Sequence, residues 1–299
     1  MNRIRETMQS KRILITGANG QLGRELSRLG AVSPNEYIPT DIAELDITDK
    51  AAVDRFFTEN TIDVVVNCAA YTNVERAEDD EAAAMKLNAE AVANLAEAAK
   101  VAGATLIHIS TDYVFGCEGN TPRTEQMPTS PLGVYGRTKL AGEQAILASG
   151  CKAIILRTAW LYSEFGGNFL KTMLRLTAEN KALKVVFDQV GTPTYAGDLA
   201  LAIFSIIDGN VYEGREGIYH FSNEGVCSWF DFATEIVAAA GHECKVVPCY
   251  SSEFPSKVAR PPYSVLDKSK FKSTFGIEIP HWRESMLYCL KRLGALKNR

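Results

Sequence analysis

The sequence predicts an α/β protein: a doubly wound, mainly parallel sheet with a smaller C-terminal lobe. Three observations carry that expectation. Short apolar runs alternate with helical stretches through the first half of the chain. The first of these runs leads into a glycine-rich turn and then a helix. Past residue 160 the alternation loosens. Strands that alternate with helices need crossover connections, and crossovers build parallel sheets covered on both faces.

Residues 11–16, Lys-Arg-Ile-Leu-Ile-Thr, suit a buried parallel strand. Gly17-Ala18-Asn19-Gly20-Gln21-Leu22-Gly23 follows, with a helix expected over 24–29. Strand, glycine turn and helix in that order are the context of a dinucleotide fingerprint, the mark of a Rossmann sheet. Gly17 allows the tight turn. Gly20 lets the backbone approach a pyrophosphate, and Gly23 lets the helix pack close to the strand. The helix N-terminus offers free N–H groups and a favourable dipole to the anion. Asn19, Gln21 and Leu22 lie within the turn and join the candidate cofactor contacts. A second strand is expected over 36–40, with Asp41 at its end. A carboxylate there accepts hydrogen bonds from ribose hydroxyls and repels a 2′-phosphate, which favours NADH over NADPH. Asp46, beside Ile47, either reaches an adenine or caps a helix starting near residue 49.

Further strands are expected over 63–66, 105–110 and 153–157, and helices over 81–102 and 133–147. Ligands bind such sheets beyond the carboxyl ends of the strands. Asn67, Thr111 and Thr158 fall at those ends, beside Gly17. Tyr135 and Lys139 are four residues apart, so one helix face carries both. A phenol has an unperturbed pKa of about 10, and a nearby cation pulls it down. A Thr111 hydroxyl could hold a carbonyl beside that phenol. The combination suits proton transfer to or from a carbonyl or alcohol oxygen.

The second half is less regular. Helices are expected over 168–180, 197–207, 229–240 and 281–293, a loop over 189–194, and an extended stretch over 258–262 enforced by Pro261 and Pro262. The expected division is a dinucleotide-binding domain over 11–160, to which a segment around 185–210 returns, and a mainly substrate-binding lobe over 161–299. The cleft between them is the natural substrate site. Residues 1–10 read as a flexible extension.

Net charge −4 and the lack of basic runs argue against a nucleic-acid partner. No apolar stretch is long enough to cross a membrane, and the N-terminus lacks the apolar core of a secretory signal. Seven cysteines without a Cys-x-x-Cys pair fit the reduced thiols of a cytoplasmic protein. The four histidines show no zinc-ligand spacing.

The glycine turn, Asp41, Asn67-Cys68-Ala69-Ala70-Tyr71-Thr72, Leu87-Asn88, Ser110-Thr111-Asp112 and the Tyr135–Lys139 pair together resemble the extended short-chain dehydrogenase/reductases. Within them, 110–116, Arg157-Thr158-Ala159-Trp160-Leu161-Tyr162, Gly167-Asn168-Phe169, 188–194 and Arg260-Pro261-Pro262-Tyr263-Ser264 resemble the dTDP-4-dehydrorhamnose reductases. That resemblance implies reduction of the 4-keto group of dTDP-4-dehydro-L-rhamnose by NADH or NADPH, giving dTDP-L-rhamnose for cell-surface polysaccharide. It implies Tyr135 as the acid, Lys139 as its electrostatic tuner and ribose ligand, and Thr111 as donor to the keto oxygen. Asn67, Ala69, Ala70 and Tyr71 would line the cofactor. Asn88 would join them, or else face solvent from a helix. Thr72, Val74 and Asp112 would edge the substrate. Trp160 would stack on sugar or base, or serve as a core aromatic. Asn168, Gln189 and Arg260 would contact the nucleotide, with the planar arginine on the diphosphate.

Some members use magnesium at a subunit interface, and a homodimer is a further expectation. No compact carboxylate cluster in this sequence can be assigned to the metal. Dehydratases of the same fold need Asp-Glu after the threonine, whereas Tyr113 follows Asp112 here. An epimerase of this fold, or a non-catalytic subunit like the regulatory subunit of methionine adenosyltransferase, are the alternatives.

Overall fold

The computed structural model describes residues 10–254 and 256–297. The extension expected over 1–10 therefore lies, but for Ser10, outside the described residues. The central sheet has five strands from the first half of the chain: β1 (Arg12–Thr16), β2 (Glu36–Pro39), β3 (Val64–Asn67), β4 (Thr105–Thr111) and β5 (Lys152–Thr158). A sixth, Gly217–His220, pairs with β5. All six are parallel, in the order β2-β1-β3-β4-β5 and then Gly217–His220.

Burial on both faces explains the unbroken apolar runs. Ile13 and Ile15 face one core and Leu14 the other, and all three are fully buried. Helix α1 (Gln21–Gly30) and Ala196–Asp208 cover one face. Lys50–Asn60, Ala91–Ala102 and Val134–Ser149 cover the other. Strand order reverses between β1 and β3, which opens a crevice at the carboxyl ends. Register sets Thr16 beside Asn67, Asn67 beside His108, and Thr111 beside Thr158 along that edge.

The chain crosses between layers more often than a cut at residue 160 allows. The last parallel strand needs a crossover helix, and Ala196–Asp208 supplies it while packing on α1. Phe271, from the short helix Ser269–Phe275, is buried in the same core. What remains forms the smaller lobe. Helices Phe169–Glu179, Trp229–Ala240 and Trp282–Arg292 pack around Leu170, Met173, Phe232 and Met286. A parallel pair, Ala182–Val186 with Lys245–Cys249, flanks them.

Two local expectations change. Residues 189–194 are not a plain loop: Val190–Gly191 pairs with Cys227–Ser228, and Thr194–Tyr195 with Leu161–Tyr162. Pro193 explains the brevity of these pairs, since it falls between them and has no N–H to donate. The helix expected over 81–102 is broken into Glu81–Met85 and Ala91–Ala102 by a π-helical turn at Lys86–Glu90.

Candidate active site

The glycine turn is fixed by close contact. Gly17 has φ +63°, and a Cβ built on it would lie 2.7 Å from the Ala69 backbone. A Cβ on Gly23 would lie 2.3 Å from the Gly17 carbonyl oxygen. Neither position accepts another residue without moving backbone. Gly20 precedes α1 with no side-chain cap, and the first turn carries no acid. Its N–H groups lack intrahelical acceptors and form a cradle for an anion. This donor set fits a dinucleotide pyrophosphate. Leu22 points its side chain into the core. Gln21 turns toward the lobe, where its Oε1 accepts from Asn168 at 2.9 Å.

Asp41 sits beside the turn. Its carboxylate accepts from the Asn19 N–H at 3.0 Å and from the Ile42 N–H at 2.9 Å. Asp46 instead folds onto Thr48, taking both its N–H and its hydroxyl, and those bonds lower its pKa. The helix cap is Asp49, which accepts from Ala51 and Ala52. Ile47 is a core residue: its side chain is buried against Val53 and Leu95 in the helix-side core, so only its backbone is left to meet a ligand.

Thr111 ends β4, and a 3₁₀ turn, Asp112–Val114, follows. Gly136 lets the Val134–Ser149 helix settle directly on that turn, since a Cβ there would lie 2.2 Å from the Tyr113 carbonyl oxygen. Tyr135 is thereby brought against Tyr113, edge to face, with ring centroids 5.5 Å apart. Thr111's hydroxyl faces the Tyr135 phenol. Burial raises the Tyr135 pKa; Thr111 offsets part of this, while Asp112 and Tyr113 reinforce it.

Lys139 is not where the simple spacing argument puts it. Its Nζ donates to the Ile109 carbonyl at 2.6 Å and lies 3.4 Å from His108 Nε2. The groups that bear on ionisation of the phenol are Asp112 and Tyr113, not Lys139. The expected lowering of the Tyr135 pKa is therefore absent, because the ammonium is turned down onto the edge of β4. Burial brings Lys139 to about 8, against the opposing pull of Glu143 and Cys68. A chain of buried groups lies beneath it and sets the His108 tautomer. Thr16 and the Ala69 N–H both donate to Asn67 Oδ1. That fixes the amide, so Asn67 Nδ2 donates to His108 Nδ1 at 3.0 Å. Burial, and then Lys139, holds His108 well below its ordinary pKa.

Asn88 does not face solvent. It is fully buried in the π turn and brackets Tyr71, accepting from its N–H at 2.9 Å and donating to its carbonyl at 3.2 Å. It also donates to Thr138 at 3.0 Å. Residues 69–71 are thus held beside the glycine turn. Gly142 explains the tight fit, since a Cβ there would lie 2.2 Å from the Asn88 carbonyl oxygen.

A cavity of about 690 Å³ opens in the lobe, and Glu75 is the residue of the sheet layer that lines it; Thr111, Tyr135 and Lys139 do not. Trp229, Phe169, Met173 and Leu176 give it an apolar wall, and Gln189 and Arg260 add polar groups. Thr72 is exposed and Val74 half-buried beside Glu75, which also lines it. Arg260 pairs with Glu75 at 3.4 Å. Glu75 additionally accepts from Ser256 at 2.6 Å and the Lys257 N–H at 3.1 Å, tying that segment to the sheet layer.

Gln189 donates to Ser251 at 2.9 Å. Trp160 is stacked face to face on Trp229 at 3.5 Å, and its edge abuts Gly191. It packs as a core aromatic, and Trp229 is the tryptophan that lines the cavity. Asn168 caps the Phe169–Glu179 helix through Lys171 and donates to Gln21, Ser163 and Phe165. Its polar atoms are engaged within the protein. Sequence reasoning missed Trp229, Phe169 and Glu75. The first two follow cap residues, Ser228 and Asn168, at helix starts, a signal that marks the helix and not the cavity. Among the described residues no group of three or more His, Cys, Asp or Glu could hold a metal ion.

The model of the RmlD substrate binding domain matches residues 11–295. The dTDP-4-dehydrorhamnose reductase of Mycolicibacterium smegmatis is 44% identical over 95% of this chain and 86% of its own. The chain belongs to the dTDP-4-dehydrorhamnose reductase family. Two crystal structures of that family superpose closely. The Clostridium acetobutylicum reductase gives a TM-score of 0.91 at 46% identity, covering 95% of this chain and 99% of that one. The Bacillus anthracis reductase, solved in complex with NADP, gives 0.90 at 38% identity with the same coverage. The sheet of six parallel strands is thus the fold of the reductase family, and no described helix is long and apolar enough to cross a membrane.

Proposed function

We propose that this chain reduces the 4-keto group of dTDP-4-dehydro-L-rhamnose to dTDP-L-rhamnose with NADH or NADPH, a step that feeds surface-polysaccharide synthesis. One observation carries the reading: a half-buried tyrosine, Tyr135, sets its phenol beside the Thr111 hydroxyl at the strand edge it shares with the glycine turn. The glycine turn and the α1 N-terminus would hold the pyrophosphate, and Asp41 the adenosine ribose. When bound, the nicotinamide supplies the hydride.

The chain's own residues handle the oxygen. Tyr135 has a raised pKa, so it is a phenol with a proton to give, and it would protonate the developing alkoxide. Thr111 would donate a hydrogen bond to the same oxygen and stabilise its charge. Lys139, held by the Ile109 carbonyl, would meet the nicotinamide ribose. Arg260 would exchange Glu75 for the substrate diphosphate, and the base would enter the apolar cavity beside Trp229 and Phe169. Asp41, already engaged by two backbone N–H groups, stands where a 2′-phosphate would be repelled, which supports NADH as the better donor.

The test incubates the full chain with dTDP-4-dehydro-L-rhamnose and either nicotinamide. Stoichiometric loss of the reduced-nicotinamide absorbance with formation of dTDP-L-rhamnose is expected. Unchanged absorbance with authentic substrate would overturn the reading, and an altered sugar without net cofactor consumption would point to an epimerase.

A further inference from the structure

Asp112 is almost fully buried beside the reacting groups, and one of its carboxyl oxygens, Oδ2, has no hydrogen-bond partner. The other, Oδ1, lies 3.0 Å from Thr111 Oγ1. Thr111 Oγ1 also accepts from the Tyr113 N–H at 3.2 Å. A hydroxyl has one proton and two lone pairs, so these contacts decide what Thr111 can offer a substrate. One lone pair belongs to Tyr113. If Asp112 is a carboxylate, it takes the Thr111 proton. The free lone pair of Thr111 then accepts from the Tyr135 phenol, and both hydroxyl protons run away from the keto oxygen. If Asp112 is a neutral acid, it donates into that second lone pair. The Thr111 proton is released, and the phenol proton with it.

We infer that Asp112 is a positioning residue for the reduction: as a neutral acid it donates to Thr111 and thereby turns the Thr111 and Tyr135 protons toward the keto oxygen. The inference rests on the reductase reading above. No bond to carbon is involved; only the direction of three hydrogen bonds changes.

The surroundings favour the neutral form. Burial pushes the Asp112 carboxyl up to about 7, against the smaller opposing effect of the Thr111 and Ser264 hydroxyls and the Asp112 and Tyr113 backbone amides. Ser264 comes from the segment after Pro262. Tyr135, from the Val134–Ser149 helix, and Tyr113, from the same 3₁₀ turn, face it as phenols with raised pKa values. The charges of Arg260 and Glu75 bear on Tyr113. Lys139 is turned onto Ile109 and His108.

The experiment measures kcat and kcat/KM for NADH-driven reduction of dTDP-4-dehydro-L-rhamnose from pH 5.5 to 9, with NADH binding as the check on folding. In the wild type, activity is present below the Asp112 pKa and lost above it. Between pH 6 and 7.5 the rate should fall about fourfold for a group titrating near neutrality. Asp112→Asn carries a permanent N–H donor, so that ratio should drop to about one, leaving only the later limb of Lys139. Thr111→Val should cost much more at pH 6 than at pH 7.5, because Thr111 serves the substrate only while Asp112 is neutral. An unchanged limb in Asp112→Asn, or an equal cost of Thr111→Val at both pH values, overturns the inference and leaves the reductase intact. If Asp112→Asn does not bind NADH, the Thr111→Val comparison decides alone. Absence of turnover by the wild type at every pH overturns the reductase reading, and this inference with it.

Discussion

As the proposed acid, Tyr135 would work by remaining a phenol. Burial raises its pKa, which suits an acid that must stay protonated until charge develops on the substrate oxygen. Tyr135→Phe should therefore lower kcat by about 10²–10⁴-fold while leaving NADH binding near the wild-type value; a kinetic run paired with an NADH titration reads both. The residue types of this acid and its threonine were legible in the sequence, because a strand end and a four-residue helical spacing are local facts. The direction of the Lys139 ammonium was not. It depends on the Ile109 carbonyl, which β4 brings in from thirty residues away. The place of Asp41 beside the glycine turn was legible by its offset, whereas the two-residue turn that Asp46 forms with Thr48 was not.

At the scale of elements, close backbone approach explains most of what holds the site. The Val134–Ser149 helix has glycine at both of its tightest contacts, Gly136 on the Tyr113 carbonyl and Gly142 on the Asn88 carbonyl. The π turn at Lys86–Glu90 gives Asn88 the room to bracket Tyr71. Asn88→Ala would leave the Tyr71 N–H and carbonyl without these partners, and should cost about 1–3 kcal/mol of stability. Because residues 69–71 would loosen beside the glycine turn, NADH affinity should fall as well. Denaturant unfolding and NADH titration check the two effects; unchanged values in both would show that Asn88 is not what holds the strip. An uninterrupted helix over 81–102 was the natural reading of its alanine-rich pattern. The interruption is a tertiary effect of the facing helix, and no periodicity encodes it.

Over the whole molecule, the two layers meet at the cavity, and Arg260 reaches across to Glu75 of the sheet layer. Arg260→Ala should raise KM for the sugar nucleotide on the order of tenfold with a smaller change in kcat, because a diphosphate contact is made equally in ground and transition states. Steady-state kinetics at saturating NADH would show it; a loss confined to kcat would place Arg260 elsewhere in the reaction. The parallel sheet was legible from alternation alone, but its last strand was not, since Gly217–His220 follows a long excursion through the lobe. The lobe also holds all three tryptophans of the chain, Trp160, Trp229 and Trp282, in one aromatic core. Intrinsic tryptophan emission therefore reports on the lobe and is blind to the sheet beneath the glycine turn. The face-to-face pair Trp160–Trp229 is stacked at 3.5 Å with Trp229 on the cavity wall, a coupled chromophore whose near-ultraviolet dichroism should change when that wall moves. The protein would thus carry its own optical gauge of the proposed nucleotide entry, separable from any signal that follows the dinucleotide.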